Sequence, residues 1–143
     1  MASRILLFAL DELRHAYGGR VPRGADPRHD TSPFRAFRAA LLAAAARAAT
    51  APCLVEAWWE GTFNGYALAV GVTPADALPG LDLAEVCPLD AERVAPPPSD
   101  RYPLAHVAPG RAEVARNDDG TTNEAPFGAA TGHFGAPGMR RLR

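Results

Sequence analysis

The sequence predicts an α+β domain: two N-terminal helices packed on a small antiparallel sheet, followed by an extended Gly/Pro-rich C-terminal arm. Three observations predict it. An alanine-rich run, residues 34–50, has near-maximal helix propensity. Two apolar runs flank Asn64-Gly65, the dipeptide that most favours a two-residue hairpin turn. After residue 116 the chain turns to Gly, Pro, Thr and Asn, a composition that cannot bury a core of its own.

The elements follow in chain order. "SRILLFALDELRHAYGG" reads as the first helix, because Leu6, Ala9, Leu10, Leu13 and Ala16 recur at helical spacing and Gly18-Gly19 offers a stop. A strand over residues 4–10 competes with it, since so short an apolar run fits either period. A Gly/Pro/Asp-rich loop with Arg20, Arg23 and Arg28 comes next, long for a compact domain. Thr31 or Ser32 can cap the second helix, and Pro33 suits its first turn. Phe34, Phe37, Leu41, Ala44, Ala45 and Ala48 form its apolar stripe, and Pro52 marks its exit.

The hairpin can be read in register. A turn at Asn64-Gly65 pairs Phe63 with Tyr66, Gly61 with Leu68, Trp59 with Val70 and Ala57 with Val72. That face, extended by Val55 and Cys53, belongs to the core. The other face carries Glu56, Trp58 and Glu60, with Ala67, Ala69 and Gly71 opposite; Trp58 faces Gly71. It is an aromatic surface rimmed by carboxylates that something must cover.

Beyond the hairpin, "VTPADALPG" reads as a helical turn capped by Thr73, and "LDLAEVC" as a third strand. "APPPSD" is a polyproline break. "YPLAHVAPGRAEVAR" reads as a second hairpin turning at Pro109-Gly110. This organises the chain as a core over 1–95, the break and second hairpin of the same domain over 96–116, and the arm over 117–143.

At 143 residues the chain supports one domain with one core. All fifteen basic residues are Arg, with no Lys, which points to a high-GC bacterial genome. The formal net charge of −1 hides an asymmetry. Residues 51–100 hold eight acids against Arg93 alone, while residues 1–50 hold eight Arg against four acids. The simplest partner for the acidic middle is the basic first third of the same chain. Only six consecutive apolar residues precede Asp11, too few for a signal-peptide core or a membrane span. A cytoplasmic protein with no membrane partner is expected. Cys53 and Cys87 form no CxxC pair and read as buried thiols.

The candidate chemistry is dispersed. Arg23, Arg28 and His29 precede a helix N-terminus and Arg35 follows on its first turn, an arrangement that suits an anion. Arg20 and Arg38 extend it toward nucleic acid, but no aromatics interleave with these arginines, which argues against single strands. Asp11, Glu12 and His15 share one helix face without a second ligand set. The four histidines have no zinc spacing, so no metal or cofactor is expected. Glu56 and Glu60, four residues apart on a strand, stand about 13 Å apart, too far for a carboxylate dyad.

Function is therefore read from architecture. The sequence favours a non-catalytic interaction or assembly subunit of a bacterial or phage complex. It would bind a protein partner or another copy through its arm, with Phe127 and Phe134, and through an exposed face of Trp58, Glu56 and Glu60. The alternative is a small enzyme or binder with a pocket between the helices and the sheet, using Trp58, Glu56, Glu60 and His106.

Overall fold

The computed structural model describes residues 1–17, 32–62 and 65–123. They build β1 (Ser3–Ala9), α1 (Leu10–Tyr17), α2 (Ser32–Ala48), β2 (Cys53–Thr62), β3 (Gly65–Thr73), β4 (Ala91–Ala95), β5 (Tyr102–Ala108) and β6 (Arg111–Val114). The six strands form one sheet in the order β4-β1-β3-β2-β5-β6, and every neighbouring pair is antiparallel.

This corrects the expected fold. The first segment is not a helix on the sheet but a strand inside it. β1 lies between β3 and β4, and α1 begins only at Leu10. The reason is burial on both faces. Leu6 and Phe8 point to the helix side, Ile5 and Leu7 to the other, and all four are at most 9% exposed. An unbroken apolar run satisfies a doubly covered strand, whereas a surface helix needs a polar side. The sheet is larger than expected, and among the described residues only α2 is a long helix.

α2 runs as the sequence predicts. Phe34, Phe37, Leu41, Ala44 and Ala45 are buried, and Phe37 packs edge-on to Phe8 with ring centroids 5.2 Å apart. The β5–β6 hairpin turns at Pro109-Gly110, where Gly110 takes φ +75°, and its amide donates to the Ala46 carbonyl at 2.9 Å. One of the orphan carbonyls in the last turns of α2 is thereby satisfied.

Two expected elements do not form. "LDLAEVC" is a turn, closed by the Val86 amide on the Leu83 carbonyl at 2.9 Å, with Val86 and Cys87 buried against the core. The edge strand is instead β4, which begins only at Ala91. "TPADA" makes a single turn, Ala77 amide to Pro74 carbonyl, after a cis Thr73–Pro74 bond.

The polyproline run forms a strap from one side of the sheet to the other. Between Ala95 on one edge and Tyr102 on β5 the chain passes β1, β3 and β2. Four interstrand spacings amount to about 19 Å, and seven residue steps at the polyproline rise span about 22 Å. Three prolines set that extended form and, lacking amide donors, keep the strap from pairing as a strand.

Candidate functional site

The face of the sheet turned away from the helices carries the predicted aromatic surface. The β2–β3 register differs by two residues from the expected one: Thr62 faces Gly65, Trp59 faces Leu68 and Trp58 faces Ala69. A shift of two leaves every side chain on its expected face, because the strand period is two. Cys53, Val55, Ala57, Trp59, Leu68, Val70 and Val72 all lie in the helix-side core. Trp58 joins Ile5, Leu7, Ala67 and Ala69 on the other side.

The Trp58 ring still reaches Gly71, now diagonally. A Cβ on Gly71 would sit 2.8 Å from both Cζ3 and Cη2 of the indole. Gly71 does not take a positive φ, so what the site requires of it is the absent side chain. Trp58 is 2% exposed. The expected exposed Trp/acidic face is therefore not present: the strap crosses this side, and Pro98 shares a depression with Trp58.

Both flanking carboxylates are engaged. Glu56, 8% exposed, accepts from Arg101 Nε at 2.9 Å, and Arg101 Nη1 also donates to the Pro98 carbonyl. Glu60 takes both terminal nitrogens of Arg93, one of them at 3.0 Å. That hydrogen bond holds the Arg93 guanidinium above its ordinary pKa. Arg4 meets Glu92 at 2.8 Å. Three of the eight acids of the middle are thus paired within the chain: Glu92 by Arg4 of the first third, Glu60 by Arg93 of the middle itself and Glu56 by Arg101 of the last. Neither Arg93 nor Arg101 was singled out as a site residue from sequence. The signals were present: the lone arginine in an acidic stretch, and an arginine closing a proline run.

His106 is exposed on this same face, opposite Leu54 on β2 and Glu113 on β6. Glu56 and Glu60 lie on either side of Trp58, so the three weak catalytic candidates share a face without converging on a common point. Because Trp58, Glu56 and Glu60 face away from the helices, a pocket between helices and sheet cannot include them.

Of the anion-site residues, Arg35 lies exposed and partnered on the first turns of α2; Arg20, Arg23, Arg28 and His29 lie outside the described residues. Arg38 donates to the Asn123 carbonyl at 2.8 Å. Phe127 and Phe134 also lie outside the described residues. The start of the expected arm, 117–123, folds onto the domain: Asn117 and Thr121 close a turn, and Asn123 Nδ2 donates to the Pro103 carbonyl at 2.7 Å.

No family model, no curated protein and no solved structure matches this chain.

The depression beside Trp58 measures about 510 Å³ and is open to solvent. Trp58, Trp59, Glu60 and Gly61 of β2 form one wall; Arg93, Pro98 and Asp100 complete it. The indole N–H groups of Trp58 and Trp59 are buried and donate to no acceptor among the described residues. A second hollow, about 320 Å³, lies between α2 and the 80–86 turn, with Arg47 on one wall and Asp82 and Glu85 on the other. Cys53 and Cys87 are buried, and burial pushes both thiols up, Cys87 to about 11. Neither is a ready nucleophile at neutral pH. Among the described residues no three His, Cys, Asp or Glu side chains gather as a metal cluster, and no helix is long and apolar enough to cross a membrane.

Proposed function

We propose that this chain is a cytoplasmic interaction or assembly subunit of a bacterial or phage complex, and that it joins a second copy along the β4 edge. One observation carries the reading. Two of the three large apolar side chains exposed among the described residues, Leu89 and Val94, lie just before or within β4; the third, Met1, precedes β1. Val94, the fourth of the five residues of β4, is 65% exposed; Leu89 precedes the strand, and Met1 precedes β1, which pairs with it.

β4 pairs with β1 on one side and with no strand on the other among the described residues. An open edge presents unpaired amides and carbonyls, a template for another strand. Edges are normally blunted by charges that project outward. Here Glu92 and Arg93 are paired with Arg4 and Glu60, and Val94 stands exposed beside them.

The test is mass in solution by light scattering over a range of concentrations, for the full chain and for Val94→Lys. The expected result is a species heavier than the 15.1 kDa monomer that dissociates in the variant. A monomer at every concentration overturns the proposal.

A further inference from the structure

We propose that the hollow between α2 and the 80–86 turn binds a small aliphatic zwitterion, an α-amino acid with a hydrocarbon side chain. The site lies apart from the β4 edge and does not depend on the assembly reading.

Backbone and core hold both walls in place. Ala40, Ala43, Ala44 and Ala48 form the α2 wall, and side chains that stop at Cβ leave the space open. The facing wall is a closed turn. The Asp82 carboxylate accepts from the Ala84 amide at 3.0 Å, the Val86 amide donates to the Leu83 carbonyl at 2.9 Å, and the Tyr17 hydroxyl donates to the Val86 carbonyl. Val86 and Cys87 anchor that turn in the core. The volume, about 320 Å³, falls at the small end of ligand pockets, which run from about 300 to 1,000 Å³. That suits a ligand of amino-acid size.

The charges on the two walls set the ligand class. Elsewhere neighbouring charges close on one another, as Arg4 does on Glu92, Arg93 on Glu60 and Arg101 on Glu56. Across the hollow they do not. Arg47 on one wall and Glu85 on the other form no hydrogen bond or ion pair among the described residues. Asp82 has one oxygen taken by the Ala84 amide and the other without a donor among them. A plain anion placed here meets two carboxylates, and a plain cation leaves Arg47 unanswered. An α-amino acid answers both walls. Its carboxylate takes the planar fork of Arg47, its ammonium faces Glu85 and Asp82, and its hydrocarbon lies on the alanine methyls and Val86.

The experiment titrates the full chain with L-valine and L-leucine, and with two leucine analogues of one charge each, 4-methylpentanoate and 3-methylbutylamine. Amide chemical shifts of residues 40–48 and 82–86 are followed by NMR in the wild type, Arg47→Ala, Glu85→Gln and Val94→Lys. The expected result is saturable shifts on both walls with at least one amino acid, at least tenfold weaker binding of each analogue, and at least tenfold weaker binding in Arg47→Ala and in Glu85→Gln. Val94→Lys is expected to bind as the wild type does, so that loss of the assembly reading leaves this one standing. No saturable shift with either amino acid overturns the proposal. Equal binding of 3-methylbutylamine, or undiminished binding in Arg47→Ala, means a cation site and overturns the zwitterion. Undiminished binding in Glu85→Gln overturns the second wall's role.

Discussion

Replacing Gly71 with alanine tests whether the Trp58 ring fixes the far face of the sheet. The added Cβ would meet Cζ3 and Cη2 of Trp58 at 2.8 Å. Carbon atoms rest at about 3.5–4.0 Å, so ring or strand must yield by roughly 1 Å. Ring and glycine are both enclosed, and overpacking of this kind costs about 1–3 kcal/mol. Against that, alanine is better than glycine in a strand interior by about 0.5–1 kcal/mol. The net expectation for Gly71→Ala is a loss of about 1–2 kcal/mol. Trp58→Leu removes the clashing atoms, so in that background the same change becomes neutral or stabilising, although Trp58→Leu alone destabilises by on the order of 2 kcal/mol. The coupling, about 1–3 kcal/mol, is read from a double-mutant cycle of urea unfolding curves followed by far-UV circular dichroism. An equal cost of Gly71→Ala in both backgrounds refutes the reasoning.

Two further predictions concern charge and protonation. Arg101→Ala leaves the nearly buried Glu56 carboxylate without its partner and is expected to cost about 1–3 kcal/mol, whereas Arg93→Ala, at a more exposed pair, costs about 0–1 kcal/mol; equal costs in urea unfolding would remove the special role of the Glu56 latch. Cys87 holds its proton to about 11 against an ordinary 9.0, chiefly through burial and then through Glu12, and burial raises Cys53 and Tyr17 in the same direction. The unfolded chain releases these protons first. Their contribution to stability is therefore complete below pH 9 and declines as pH rises toward 11. Denaturation midpoints at pH 7, 9 and 10.5 check the slope, and a thiol reagent at pH 8 should label neither cysteine until the protein unfolds. Labelling of the native protein at the rate of a free thiol would contradict the burial of both.

The residue faces of the central hairpin were legible because strand side chains alternate whatever the partner. Trp58 and Trp59 are placed on opposite sides by their adjacency in β2, and the register shift of two left that intact. α2 was legible because alanine and leucine favour helix locally and Pro33 and Pro52 bracket it. The thiols were legible as buried because nothing near them in sequence suggested another use.

The sequence by itself also determined that the strap would be extended and unpaired, since three prolines fix φ and remove the donors. What only the tertiary structure decided was where these pieces go. "ILLFA" has the composition of a strand or a helix, and only cover on both faces, by the helices on one side and by the Trp58 cluster on the other, makes it a strand. The partners of Glu56 and Glu60 lie 45 and 33 residues away in the chain. No local pattern encodes that separation. It follows from a strap that crosses the sheet and carries Arg101 to one side of Trp58, while β1 holds β4 and Arg93 at the other. Local preferences act over a few residues, so they set faces and breaks; burial and ion pairing act between distant segments, so they alone select which strand is central and which edge stays open.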